Sequence, residues 1–290
     1  MIHTIGSINC DFTYQLEHLV QAGDTVSAQT FTRHLGGKGI NQSIAALKAG
    51  AKLRHFGAIG EGDEWCIGEL ARFGVDTSNI QLRPCQTGHA IIQLDQRGEN
   101  AIIIHHGANA QLPRDQIRHF LAETNHSDWL MLQGEVNDTR WIMDEALANG
   151  LQIAFTPAPF PDTIASLPLE RLAIVLVNQL EHEQLAAALD PARLHAISRR
   201  VVTLGSQGAI LYDKNGRFPY DPYPVHAVDT TGAGDCFAGN LVAALDRGEQ
   251  IGQAMRVAIC ASALSVTRLG AAQSMPSLET TIRAMNAGFL

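Results

Sequence analysis

The stretch Asp229-Thr230-Thr231-Gly232-Ala233-Gly234-Asp235, continued by Cys236-Phe237-Ala238-Gly239-Asn240, decides how the chain is read. Three small residues in a row, Gly232, Ala233 and Gly234, let backbone N–H groups converge where a helix starts. Such a terminus attracts anions, because its donors are unpaired and the helix dipole is positive there. Asp235 at the same place would repel a phosphate, unless it takes a proton from a hydroxyl that attacks the phosphate. An anion hole beside a carboxylate base reads as phosphoryl transfer to an alcohol. The plain alternative is a Gly-Ala-Gly turn capped by Asp, an ordinary way to begin a helix. Two other phosphate fingerprints are missing. Gly36-Gly37-Lys38-Gly39 lacks the upstream glycine and the following Ser or Thr of a Walker A loop. No Gly-x-Gly-x-x-Gly occurs, which argues against a Rossmann dinucleotide site.

Outward from that helix, short apolar runs alternate with helical stretches. The runs are Trp129–Gln133, Gln152–Thr156, Ile174–Asn178, 201–205 and Ala209–Asp213. This spacing predicts βαβ units and a mostly parallel sheet covered by helices. Nearer the N-terminus, a strand over 2–8 is expected to deliver Asn9 and Asp11 at its end, a helix to open at 36–39, and a strand and a helix to follow over 53–59 and 64–73. The runs 90–95 and 101–104 flank Gln96-Arg97-Gly98-Glu99-Asn100 as a hairpin. With the β-compatible residues of 10–34, the material of 87–106 reads as a small added sheet, a lid on one α/β domain spanning 1–290. Ligands of open parallel sheets bind beyond the carboxyl ends of the strands. Asn9, Asp11, Gln133 to Glu135, Asn178, Glu181 and Thr203 to Gly208 are all expected at that edge.

Bulk properties narrow the class. The 290 residues, 46% hydrophobic and 17% charged, suit a globular protein with a substantial core. A net charge of −8 argues against a nucleic-acid partner. No apolar run approaches a membrane span, so no membrane partner is expected. Five scattered cysteines suggest reduced thiols and a cytoplasmic setting. The twelve histidines are dispersed, and His105 and His106 are expected to point to opposite faces of a strand rather than to share a metal.

Taken together, these motifs resemble those of the ribokinase-like (PfkB-type) carbohydrate kinases along nearly the whole chain. The resemblance is carried by Gly6-Ser7-Ile8-Asn9-Cys10-Asp11, Gly36-Gly37-Lys38-Gly39-Ile40-Asn41-Gln42, Gly98-Glu99-Asn100, Gly107-Ala108-Asn109 and Asn178-Gln179-Leu180-Glu181. It continues through Thr203-Leu204-Gly205-Ser206-Gln207-Gly208, the Asp229 to Asp235 motif, and Val266-Thr267-Arg268-Leu269-Gly270-Ala271. It implies a three-layer α/β/α domain with a small β-sheet lid. The implied activity is an ATP-dependent kinase for the primary hydroxyl of a pentose, D-ribose first. Deoxyribose, a ketohexose or a nucleoside are alternatives, as is a sugar-binding regulatory protein without catalysis.

The resemblance also assigns roles. Asn9, Asp11, Gly37, Lys38, Gly39, Asn41 and Glu135 would hold the sugar. Asp235 would be the base, and Gly232, Ala233 and Gly234 would stabilise the transferring phosphoryl group. Asn178, Thr203, Gly205, Ser206, Gly208 and Gly234 would bind the nucleotide, and Glu181 would organise Mg²⁺ through water. Asp229, Thr231, Ser265, Arg268, Gly270 and Ser274 would surround K⁺, Arg268 through its carbonyl. Unpaired lid edges invite a homodimer. Departures from the family pattern are Ala22-Gly23-Asp24-Thr25, His89 on the lid, which would touch the sugar, Gly134 before Glu135, and Ile259 near the adenine.

Overall fold

The computed structural model describes residues 1–287. Its strands are β1 (Ile2–Ile5), β2 (Asn9–Gln15), β3 (Thr30–Gly36), β4 (Leu53–Gly60), β5 (Ile80–Arg83), β6 (Gly88–Leu94) and β7 (Asn100–His105), then β8 (Trp129–Gln133), β9 (Gln152–Thr156), β10 (Ile174–Asn178), β11 (Arg199–Thr203), β12 (Ala209–Asp213) and β13 (Gly216–Tyr220). The helices are α1 (Lys38–Lys48), α2 (Trp65–Arg72), α3 (Arg114–Ala122), α4 (Thr139–Ala148), α5 (Gln179–Ala188), α6 (Pro191–Ala196), α7 (Ala233–Asp246), α8 (Ile251–Ser265) and α9 (Leu278–Ala287).

One sheet has nine strands in the order β13-β12-β11-β10-β9-β8-β1-β4-β5. From β11 to β5 the neighbours run parallel, and β12 and β13 finish one edge antiparallel. Both faces are covered, which explains why β8 is apolar at nearly every position. Trp129 and Met131 face the helices α1, α7 and α8, whereas Leu130 and Leu132 face α3, α4 and α5. The result is the three-layer α/β/α arrangement. A separate four-stranded sheet, β3-β2-β6-β7, is drawn from two stretches of chain.

Two expectations need correction. The first strand stops at Ile5, and Asn9 and Asp11 open β2 of the small sheet rather than ending β1. The chain crosses between sheets at Gly6, where a Cβ would lie 2.7 Å from Gly39 Cα at the start of α1. Only a hydrogen side chain permits that approach. Likewise, β7 ends at His105, and His106 leaves the strand at Gly107, whose φ is +48°. The two rings therefore do not alternate across a strand. Strands β5 and β13 are additional to the runs read from the sequence. The second carries Pro219, which an edge strand tolerates. No helix among the described residues is long and apolar enough to cross a membrane.

Candidate active site

Helix α7 begins at Gly232, whose φ of +74° is left-handed; a Cβ there would stand 2.8 Å from Ala271 Cβ. Glycine is the residue that adopts this conformation without strain. Asp235 follows in the first turn and is 7% exposed. Its Oδ1 accepts from Gln42 Nε2 at 3.1 Å and its Oδ2 from Asn41 Nδ2 at 3.3 Å. Helices α1 and α7 pack closely enough for this because Gly239 leaves room; a Cβ would meet Gln42 O at 2.4 Å.

The other charged groups converge on the same place. Glu135, buried, accepts from the Lys38 backbone N–H at 2.9 Å and from the Ser7 hydroxyl, which itself accepts from Gly39 N–H at 3.1 Å. Gly134 stands before it because a Cβ would lie 2.5 Å from Pro159 O, a steric reason for that departure. Asn9 is fixed by Asn109, whose Nδ2 donates to its Oδ1 at 2.7 Å. The Asp11 carboxylate lies over Gly36, where a Cβ would come within 2.0 Å of Oδ2.

Burial pushes the Asp235 carboxyl up to about 6; the Lys38 charge and the Gln42 and Asn41 hydrogen bonds oppose this, and Glu135 adds to it. Asp11 is also pushed up to about 6, by burial and then by the Glu135 charge, with Lys38 opposing. The Lys38 ammonium is held above its ordinary value by Asp235 first, against burial, with Glu135, Glu181 and Asp11 contributing. Three carboxylates thus share one cation in a poorly solvated place, which disfavours their full ionisation.

Beyond Asp235 the cleft continues. A cavity of about 370 Å³ is lined by Lys38, Thr156, Asn178, Glu181 and the segment 232–235. A second, of about 320 Å³, takes Thr203, Gly205, Ser206, Gly208, Tyr223, Val225, Phe237 and Ile259 into its walls. Both include Thr230, Ala233 and Gly234, so they form one continuous trough. Asn178 and Glu181 make a capping box at the start of α5: Glu181 N–H donates to Asn178 Oδ1, and Asn178 N–H to Glu181 Oε2, both at 2.8 Å. Burial raises the Glu181 carboxyl, opposed by the Asn178 N–H and the Lys38 charge.

Asp229 ties two loops together. Its Oδ1 accepts from Thr231 N–H at 2.9 Å and its Oδ2 from Gly270 N–H at 2.8 Å. Burial pushes this carboxyl up, but hydrogen bonds from Thr231 and Gly270 outweigh it and hold it below its usual value. Arg268 N–H donates to Ser265 O at 3.2 Å. The hydroxyls of Ser265 and Ser274 are turned onto Ser262 O and Ala271 O, so any outward donor from these two would be a carbonyl.

On the small sheet, strand register separates two faces. Asp11 pairs with Ala90 on one side and His34 on the other, and these share its face. His89 pairs with Cys10 and falls on the opposite face, its ring 5.8 Å from Phe12 and 5.0 Å from His105. His89 therefore does not touch a sugar held by Asp11; Ala90 and Ile92 take that face instead. Among residues not assigned from the sequence, Ser7, Gln42, Asn109, Gln133 and Thr156 belong to the site. Gln42 lay inside a quoted motif and Ser7 beside Asn9; the others carried no local signal.

Residues 1–278 match the profile of the pfkB family carbohydrate kinase. The chain is 31% identical over 296 residues to the ribokinase of Haemophilus influenzae, covering 96% of each. It is 28% identical over 294 residues to the deoxyribokinase of Salmonella typhi, again with 96% of each covered. The structure of the Arabidopsis thaliana ribokinase complexed with ribose and ATP superimposes with a TM-score of 0.81 at 26% identity, over 97% of both chains.

Proposed function

The chain belongs to the pfkB family of carbohydrate kinases, and from that premise we propose that it transfers the γ-phosphoryl group of ATP to the primary hydroxyl of a pentose, D-ribose giving ribose 5-phosphate. The observation that carries this reading is Asp235: a buried carboxylate, in the first turn of a helix with an open N-terminus, at the junction of a polar pocket and a two-part trough.

Asp235 takes the proton from the acceptor hydroxyl. A base works best with its pKa close to the operating pH, and burial brings this one to about 6 while leaving it mostly ionised at pH 7. The N–H groups of 232–234 and the Lys38 charge stabilise the transferring phosphoryl group, a contribution of about 10²–10³ in rate for a single such donor. Asn9, Asp11, Asn41, Glu135 and the backbone of Gly37 and Gly39 hold the sugar hydroxyls. Thr203, Gly205, Ser206 and Gly208, with Asn178, accommodate the nucleotide; the adenine enters the apolar cavity beside Ile259. The small sheet is the lid, built from 10–34 and 87–106 within one domain over 1–290. It excludes water when the sugar is bound.

No group of three or more His, Cys, Asp or Glu among the described residues is placed to hold a metal. Mg²⁺ therefore arrives on the nucleotide phosphates, with Glu181 facing it through water, and supplies charge neutralisation there. The K⁺ assignment fits the Asp229 carboxylate: it is held ionised, and each oxygen that takes one amide keeps a lone pair for a cation. Carbonyls of Thr231, Ser265, Arg268, Gly270 and Ser274 are the accompanying donors, and the ion would steady the loop before Gly232. The exposed strand β7 and Phe31, 53% exposed, support a homodimer through the lid. Five free cysteines and an ATP donor go with a cytoplasmic setting.

A second acceptor is favoured by a specific observation: the deoxyribokinase relative is nearly as similar as the ribokinase one. The test is ATP consumption by the purified protein with Mg²⁺ and K⁺ against a panel of pentoses, ketohexoses and nucleosides. Turnover on ribose above all others is expected. Turnover only on deoxyribose or a nucleoside moves the acceptor assignment, and sugar binding without turnover restores the regulatory reading.

A further inference from the structure

Asp235 is held by two amides that differ in what else they do. Asn41 donates to Oδ2 at 3.3 Å, and its own Oδ1 is buried without a partner. It has an acceptor to spare for a substrate hydroxyl. Gln42 has none to spare. Its Nε2 donates to Asp235 Oδ1 at 3.1 Å and to Thr156 Oγ1 at 3.4 Å, while its Oε1 accepts from Gln133 Nε2 at 2.7 Å. Gln42 and Gln133 are each about 1% exposed.

The direction of this chain follows from the carboxylate. An ionised carboxylate only accepts, so the Gln42 amide must turn its NH₂ towards Asp235 and its oxygen away. That oxygen in turn requires the NH₂ of Gln133. Gln133 Oε1 is then left against Gly6, where a Cβ would lie 2.6 Å away, and it has no donor. A buried acceptor without a donor is costly, so its presence needs a reason. Turning Gln133 over would satisfy nothing, since it would set two amide oxygens against each other.

We propose that Gln42, oriented by Gln133, is the positioning residue of the base: it ties up Oδ1 of Asp235 and leaves Oδ2 as the oxygen that receives the proton. The inference rests on Asp235 being the base. In the step itself, the acceptor O–H bond breaks and the Oδ2–H bond forms. The electron pair of the O–H bond remains on the acceptor oxygen, which bonds to the γ-phosphorus. The bond from the γ-phosphorus to the bridging oxygen breaks, and its electron pair leaves with ADP. Through all of this Gln42 stays in place, because every polar atom it owns is already satisfied within the protein.

The hydrogen bond from Gln42 also favours the ionised form of Asp235, against the burial that disfavours it. Its loss raises the pKa of the base, and a base must be ionised to act, so the acid side of the pH–rate profile moves to higher pH. The test compares Gln42→Leu, Gln133→Leu and Asp235→Asn, each checked for a native melting transition, by pH profiles of kcat and kcat/KM. For Gln42→Leu the acid limb is expected to rise by about one pH unit, with kcat on the plateau reduced about 10-fold and sugar KM within about 2-fold. Gln133→Leu is expected to shift the limb in the same direction by roughly half as much. An inactive Asp235→Asn with an unshifted limb in Gln42→Leu overturns the role of Gln42 while leaving the base in place. Should Gln42→Leu not fold, an unshifted limb in Gln133→Leu overturns it equally. An active Asp235→Asn removes the base and the inference together.

Discussion

The two ends of the trough are built from different materials. At the acceptor end, buried side chains do the holding: Asp11, Lys38, Asn41, Gln42, Glu135 and Asp235, bonded to one another or to backbone. At the nucleotide end the walls are backbone, glycines and apolar surface: Gly205, Gly208, Val225, Phe237 and Ile259. One end fixes charge and orientation, whereas the other offers shape. A change at the first should therefore alter the chemical step, and a change at the second should alter occupancy.

The contrast breaks most sharply at Asp235. Asp235→Asn is expected to lower kcat about 10³-fold, within the usual worth of a positioned base, while equilibrium binding of the sugar stays within a few-fold. Loss of sugar binding with unchanged turnover would merge the two ends. Next comes Gly232→Ala. The left-handed backbone and the closeness of Ala271 force the anion-hole loop to move, and kcat is expected to fall about 10²-fold. At the other end, Ile259→Ala should raise the KM for ATP about 5-fold through lost apolar contact, with kcat nearly native. A fall in kcat comparable to that of Gly232→Ala would show that the nucleotide wall reaches the chemistry.

The smallest effect is on stability. Asp11 has a folded pKa of about 6, above its ordinary value. The stability linked to it is complete at pH below the unfolded value and declines as pH rises towards and through about 6. Asp11→Asn escapes that decline. Its melting temperature relative to the unmodified protein should accordingly be higher at pH 8 than at pH 4, by up to a few degrees. A difference that does not change with pH would mean that Asp11 is well solvated.

What could be read from the sequence follows the same division. The helix start at 232–235 and the block 36–42 announce themselves because small residues at fixed spacing have few other uses, and both lie where a helix begins. The parallel sheet was readable because strands buried on two faces are apolar throughout, as in β8. The crossing at Gly6 was not, since the clash that demands a glycine is with Gly39, distant in sequence. His89 looked like a sugar contact while its neighbours were unknown. Which face it takes depends on pairing with Cys10, and pairing is a property of two strands. Gln133 is the extreme case: a buried glutamine whose meaning lies wholly in the orientation of another amide.

The small sheet carries one further consequence. Asn9, Asp11, Ala90 and Ile92 belong to it, whereas Asp235, its anion hole and the nucleotide trough belong to the nine-stranded body. Whatever decides which acceptor is taken is thus largely encoded apart from whatever moves the phosphoryl group. Mutational drift in the two stretches that form the small sheet can retune the acceptor while the chemical step is inherited intact, so new specificities in this scaffold are reachable by few substitutions.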